Sequence, residues 1–332
     1  VDRPLAVGMT PLETRREVLL HVATRAEELG FSRVSLAEGW GHDAFVLLTE
    51  MALRTSRIGL ATGVVNVLGR SPAQLAMAAA TLDEVSGGRF RLGLGAGSPA
   101  LAEGLHGRPF REPAAVLGRT VREVRRLLDG ERAQPLPGAR GLRLATRPPH
   151  RVPIDVAALG TASTRLAGEL GDAWSPFLVP RSGLKAAAAP LEEGAAVSGR
   201  LRPAVNPGLP AAISDDPAHA HEIAAWWVGF YLTSMGPLYA STLRRLGLGG
   251  LVDDVLAANP APGTTVVPDS AGALLDELVL WGEPAAARAL LAQWYEAGVD
   301  EPTIVLPPGR PLDELDLILE STSPLIGAGP RG

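Results

Sequence analysis

Two uninterrupted apolar runs with a helical pattern between them constrain this chain more than any other feature. They lie in Arg57–Gly97, RIGLATGVVNVLGRSPAQLAMAAATLDEVSGGRFRLGLGAG, as Arg57–Val65 and Arg89–Leu94. The alanine-rich pattern Pro72–Val85 separates them and stops at Gly87-Gly88. A strand with one wet face alternates apolar and polar residues. A strand apolar throughout is covered on both faces, as in a parallel sheet whose crossovers are helices. The second run ends in a glycine cluster, Gly93, Gly95 and Gly97. One such unit suits either an open doubly wound sheet or a closed (β/α)8 barrel, so the number of repeats matters.

The pattern recurs along the chain. Strands are predicted at Leu5–Met9, Phe31–Ala37, Ile58–Val64, Phe90–Leu94, Pro153–Leu159, Ala173–Leu178, Pro203–Ile213 and Pro302–Leu306, the seventh kinked at Asn206-Pro207. Thr10-Pro11 opens the first helix, with Thr as cap and Pro in the first turn. Asp43 caps the next, Ala44–Arg54. Further helices are expected at Ala114–Leu128, Ala162–Leu170 and Leu184–Ala196, the last with Pro190 as a candidate break. Arg122, Arg125 and Arg126 are read as a solvated face of the first of these. Eight strands alternating with helices predict an α/β fold, a (β/α)8 TIM barrel, with an open sheet as the alternative. The barrel is expected to be a single domain over residues 1–332. Residues 98–152 form an inserted loop and helix region, in which Ala102–Phe110 is a loop and Gln134–His150 a surface loop or hairpin. Residues 215–281 form a helical insertion before the last strand (His219–Tyr231, Leu238–Ala258 and Ala271–Leu280).

Composition removes several classes. The 332 residues include no cysteine, so disulfides and thiolate chemistry are excluded. A formal charge of −5 with no basic block gives no reason to expect nucleic acid as a partner. No apolar segment is long enough for a bilayer, and the start VDRPLAVGM lacks a signal-peptide pattern. A cytoplasmic enzyme with a small-molecule substrate, and no membrane partner, is the expectation.

Several residues carry candidate chemistry. GLGAGS, Gly93–Ser98, has the look of a dinucleotide-binding glycine loop, but Pro99 follows at once and no acidic ribose partner ends a clear next strand. The alternatives are a strand end crowded against a neighbouring loop, or a loop lining a planar cofactor. Glu38 ends the second strand, where it either serves a site as acid, base or cofactor anchor, or caps backbone N–H groups. His42 is a polar site residue or a partner for Asp43, and Trp40 an aromatic wall or simply packed. Glu103 and His106 are three residues apart and could share one face of a helical turn, but no third ligand accompanies them, so no metal is expected. Gly160-Thr161-Ala162-Ser163 opens a helix whose N–H groups suit a phosphate, and equally an ordinary cap. Trp226, Trp227, Phe230 and Tyr231 cluster on the insertion, to cover a site, to form a dimer interface or to fill a local core.

The segments LAEGWGHDAF, Arg57–Gly97, AEGLHGRPF, RVPIDVAALGTASTRLAGELGDAW and YEAGVDEPTIVLP together resemble the bacterial luciferase-like superfamily. They are most similar to its deazaflavin F420-dependent oxidoreductase branch, which includes methylenetetrahydromethanopterin reductase. The resemblance implies a homodimeric barrel binding coenzyme F420, with FMN as the alternative, at the carboxyl ends of the strands. It implies a non-prolyl cis peptide at Gly63-Val64 backing the deazaflavin. It assigns cofactor contacts to Glu38, Gly63, Val64, Ala96 and Gly97, and phosphate contacts to Gly160 and Thr161, with Arg181 or Lys185 as candidates for added charge. Glu38 or Glu103 would tune or supply a proton, and His106 or His42 would orient polar substrate atoms. The implied reaction is hydride transfer between the deazaflavin C5 and an imine, enone or carbonyl compound. An FMN-dependent monooxygenase and a non-catalytic ligand-binding barrel are the competing readings.

Overall fold

A computed structural model describes residues 3–323, apart from 135 and 262. The ends of the expected 1–332 domain, 1–2 and 324–332, lie outside the described residues, as does residue 135 of the 134–150 loop. The first half runs β1 (Ala6–Met9), α1 (Arg16–Glu28), β2 (Arg33–Leu36), α2 (Ala44–Arg54), β3 (Gly59–Thr62), β4 (Val65–Asn66), α3 (Pro72–Ser86), β5 (Phe90–Gly95), α4 (Pro113–Leu128) and β6 (Ile154–Ala157). Then come α5 (Thr161–Leu170), β7 (Ala173–Trp174), α6 (Leu184–Ser198), β8 (Ala204–Val205) and β9 (Gly208–Ile213). The chain continues with α7 (Pro217–Thr233), α8 (Pro237–Arg245), α9 (Gly249–Ala258) and α10 (Ala273–Leu278). It closes with β10 (Leu280–Gly282), α11 (Pro284–Glu296), β11 (Thr303–Leu306) and α12 (Leu312–Thr322).

The strands form one curled parallel sheet in the order β10-β9-β11-β1-β2-β3-β5-β6-β7-β8, with β4 beside β5. Two of the eight expected strands are each broken in two. β8 pairs with β7 while β9 pairs with β11, and Asn206-Pro207 joins the halves. That kinked strand therefore links β8, at one end of the path, to β9, next to the other end, with Phe177 bridged to Gly208. The helices flank this sheet in a (β/α)8-type barrel.

The second break explains the glycine cluster. Ala61 is level with Arg91, but Val65 is level with Leu94, so residues 62–64 oppose only residues 92–93. That extra residue is a bulge, and the Gly63-Val64 peptide within it is cis. The Thr62 hydroxyl fills the gap in the ladder, donating to the Gly93 carbonyl and accepting from its N–H, both at 2.8 Å. A Cβ on Gly93 would sit 2.0 Å from the Thr62 carbonyl oxygen, and one on Gly95 2.8 Å from the Val64 side chain. The cluster is crowded against a neighbouring strand, as one of the sequence alternatives had it, and these glycines are what that crowding requires.

Some boundaries differ from expectation. The first helix begins at Arg16, because Thr10-Pro11 forms a turn: Glu13 N–H reaches the Thr10 carbonyl at 3.2 Å. Leu280 is not helical. It is fully buried as the first residue of β10, pairing with Ala211 of β9. Pro190 sits buried within an unbroken α6. The start of the loop expected over Ala102–Phe110 belongs instead to a single π-helical turn, Ala100–Leu105. The three arginines of α4 also form pairs: Arg122 with Glu169 and Arg126 with Glu123 and Glu131 on the solvated face, and the mostly buried Arg125 with Asp172.

Two apolar clusters fill the molecule. The larger lies between the sheet and its helices. The smaller joins α7–α10 of the insertion to Leu178, Ala212 and Val305 at the barrel rim. The barrel axis is not filled in the usual way. Branched side chains pack the interior of most such barrels, but here Gly8, Ser35, Ala61, Ala157 and Gly208, one from each of five strands, line a cavity.

Candidate functional site

The cavity measures about 270 Å³. Small interior residues give it depth, and the loops at the carboxyl ends of the strands give it walls. Thr10 and Pro11 follow β1, Glu38, Gly39 and Trp40 follow β2, and the bulge contributes Gly63, Val64 and Asn66. Gly97 and Leu101 follow β5, while Ser175, Pro176 and Phe177 follow β7. Tyr231 of α7, with Met235 and Tyr239 of the insertion, completes the mouth.

The floor is polar. Arg33 lies between Glu301, 2.9 Å away, and Asp155 at 3.6 Å, and Arg91 also pairs with Asp155. Burial pushes the Arg91 guanidinium down, but Asp155 outweighs it and leaves it above its ordinary value. Arg33 Nε and Nη1, Asn206 Oδ1 and Asn66 Nδ2 are buried without a hydrogen-bond partner among the described residues. Buried polar groups are normally satisfied, so these atoms at the cavity wall are placed for ligand or water.

Glu38 is firmly held. Arg70 binds both of its carboxylate oxygens, and the Ala44 N–H donates to it at 3.0 Å. Arg70 also donates to Asp43 at 2.6 Å and lies over the Phe45 ring at 5.3 Å. The Glu38 carboxylate holds the Arg70 guanidinium above its ordinary range. Asp43 itself accepts from the Phe45 and Val46 N–H groups and caps α2.

The structure brings some of the candidate residues together and leaves others apart. Glu38, Gly63, Val64 and Gly97 line the cavity, and Ala96, His42, Glu103, His106, Gly160 and Thr161 are not among its lining residues. Glu103 accepts from the Phe110 N–H at 3.0 Å, and the His106 ring lies against Gly69. His42 meets the Thr14 carbonyl at 3.0 Å in an exposed loop. Gly160 precedes the first residue of α5, Thr161. Arg181 points elsewhere, donating to the Asp276 carbonyl. A different arginine, Arg245 of α8, reaches the Leu159 carbonyl at 2.5 Å, one residue before Gly160. Asn66, Arg70, Asn206 and Arg245 were not among the sequence candidates. A polar Asn inside the apolar run VVNV was the one local signal for Asn66.

A parallel barrel with a hollow axis, opening at the carboxyl ends of its strands, defines a class: a (β/α)8-barrel enzyme with its site on that face. The comparisons narrow the class. The luciferase-like monooxygenase family matches residues 6–301. A Mycobacterium tuberculosis protein named as a coenzyme F420-dependent oxidoreductase is 34% identical over 322 residues, 88% of this chain and 90% of that one. The F420-dependent tetrahydromethanopterin reductase of Methanopyrus kandleri superposes with a TM-score of 0.80 at 21% identity, covering 98% of this chain and all of that one. The oxygenating component of Pseudomonas putida 3,6-diketocamphane monooxygenase, in complex with FMN, superposes at 0.75 with 17% identity and 99% coverage of both. The chain belongs to the luciferase-like superfamily, in the branch of the F420-dependent oxidoreductases. It is an enzyme of the flavin- and F420-dependent oxidoreductase family.

Proposed function

We propose that the protein binds coenzyme F420 and transfers a hydride between the deazaflavin C5 and a small organic substrate of imine, enone or carbonyl type. The observation that carries this reading is the bulge that puts Gly63 and Val64 on the cavity wall, with the unpartnered Asn66 amide nitrogen beside it. Flavin-type rings are planar and rich in acceptors. A wall of Gly63, Val64, Gly97 and Ala157 offers a flat apolar seat, and Asn66 Nδ2 a buried donor. The bound deazaflavin would supply the hydride chemistry, while the chain's residues bind, orient and exclude water.

In this reading Gly63, Val64 and Gly97 seat the ring, with Ala96 behind Gly97 rather than on the cavity wall, and Glu38 is fixed by Arg70 at its edge. Gly160 and Thr161 hold the phosphate through backbone N–H groups at the start of α5, where the helix dipole favours an anion. Arg245 adds positive charge beside them, the part the resemblance implied for Arg181 or Lys185. Glu103, His106 and His42 lie beyond the cavity lining, so any part they play in proton transfer or substrate orientation requires closure of the loops that carry them. The functional unit is a homodimer.

Titrating the protein separately with F420 and FMN, following absorbance and fluorescence, tests the reading. F420 is expected to bind saturably and more tightly than FMN. Tight FMN binding without F420 binding would overturn it in favour of the monooxygenase.

A further inference from the structure

The mouth of the cavity has a chemistry of its own. Phe177, Tyr231 and Tyr239 form an edge-on aromatic cluster: ring centroids lie 4.9 Å apart for Phe177–Tyr231, 5.1 Å for Tyr231–Tyr239 and 6.2 Å for Phe177–Tyr239. Trp227 stacks on Tyr231 at 5.8 Å and anchors the cluster by donating to the Ala211 carbonyl of β9 at 3.0 Å.

The chain has three tyrosines. Tyr295 donates to the Pro4 carbonyl at 2.9 Å. Tyr231 and Tyr239 both line the cavity, and neither phenol hydrogen-bonds any described residue. Neither oxygen is among the fully buried polar atoms of the described residues, so each hydroxyl is accessible to a molecule in the cavity. Burial pushes the Tyr239 phenol up to about 12, and burial together with Tyr239 raises Tyr231 further, so both remain O–H donors at neutral pH.

The rest of the mouth carries one charged side chain, Glu38, which Arg70 already neutralises. Leu101, Met235 and Phe177 supply apolar surface. The basic residue among the lining groups is Arg33, on the floor and paired with Glu301. A phosphorylated or carboxylated substrate would leave its charge without a partner at this mouth, which is costly away from water.

We infer that Tyr231 and Tyr239 are substrate-binding residues. They take an uncharged, largely apolar compound whose carbonyl oxygen or imine nitrogen accepts a hydrogen bond from a phenol. This deepens the proposed function and rests on it for the reaction, but the binding can be tested apart from turnover.

The test uses calorimetric titration of the protein loaded with oxidised F420, so that no reduction occurs. The probes are 4-phenyl-3-buten-2-one, its hydrocarbon counterpart 3-methyl-1-phenylbut-1-ene, and glucose 6-phosphate. The ketone is expected to bind about tenfold or more tightly than the hydrocarbon, because a site built to donate a hydrogen bond rejects the analogue that lacks the acceptor. Tyr231→Phe and Tyr239→Phe keep the rings and remove only the hydroxyls. Together they should erase most of that preference, with F420 affinity and melting temperature unchanged. A merely structural role would leave the ketone-to-hydrocarbon ratio intact. A ratio unaltered in the double variant, no preference in the wild type, or tighter binding of glucose 6-phosphate than of the ketone would each overturn the inference. Failure of F420 to bind at all would instead remove the proposed function, and the same three titrations on the cofactor-free protein would still decide the role of the phenols.

Discussion

Glu38 shows how a residue legible in the sequence acquires its meaning from one that is not. Its place at the end of an apolar run put it at the rim of the barrel. Its partner Arg70 lies 32 residues further on, beyond any spacing rule, and only the adjacency of β2 to β3 brings the two together. The pair is mostly buried, with side chains 10% and 18% exposed. Breaking such a pair from one side leaves an uncompensated charge. Arg70→Met is therefore expected to cost about 3 kcal/mol of stability by denaturant unfolding. Glu38→Gln leaves Arg70 paired with Asp43 and keeps an acceptor for the Ala44 N–H, so its cost falls to about 1 kcal/mol. Turnover in that variant should drop about tenfold or more. Undiminished turnover with carbonyl, imine and enone acceptors alike would remove Glu38 from the reaction.

Among the elements, the start of β7 is where the barrel is tied to its outer helices. Asp172 accepts from Arg125 of α4 at 2.8 Å, Arg151 at 2.7 Å, Arg200 at 3.2 Å and the Ile154 N–H of β6 at 2.8 Å. Burial pushes its carboxyl up, but the Arg151 guanidinium, the Ile154 N–H and Arg125 outweigh burial and hold the pKa at about 2, against 3.8 ordinarily. The folded value lies below the unfolded one. The stabilisation is therefore complete above about pH 4 and is lost as pH falls toward 2. Unfolding measured across that window should show stability falling with pH, and Asp172→Asn should flatten this part of the profile while costing about 2 kcal/mol at neutral pH. A variant with the wild-type acid profile would show that the knot contributes nothing. The same region shows the limit of helix patterns: the spacing of Arg122, Arg125 and Arg126 marked a polar face, but only packing against α5 and the start of β7 supplied the partners of Arg122 and Arg125, while Arg126 pairs locally with Glu123 and Glu131.

At the scale of the whole molecule, α2 and α3 present apolar side chains outward. Val46, Leu53, Met77 and Val85 are 67%, 74%, 50% and 39% exposed, and Phe45, Val46, Met77, Ala78 and Leu82 line a shallow groove between the helices. Apolar surface of this kind suits an interface. In the proposed homodimer a second copy covers it. Sedimentation velocity at micromolar concentration should give a dimer for the wild type and a monomer for the double variant Val46→Glu, Met77→Glu. A wild-type monomer, or a dimer untouched by both charges, would move the interface elsewhere. Among the described residues no helix is long and apolar enough to cross a membrane.

The sequence by itself determined the repeating unit, the parallel sheet, the positions of most of its strands and the family. All of these follow from local periodicity and from motifs that neighbouring residues carry together. The resemblance also pointed to Gly63-Val64 rather than to the conspicuous glycines. Only the tertiary structure decided why those glycines are needed, which arginine accompanies Glu38, that Arg245 rather than Arg181 reaches the start of α5, and that two phenols line the mouth without partners. These facts depend on groups far apart in the chain meeting across strands and an insertion. No periodicity of 2 or 3.6 residues encodes such a meeting; it arises when a curled sheet brings the carboxyl ends of its strands around one axis.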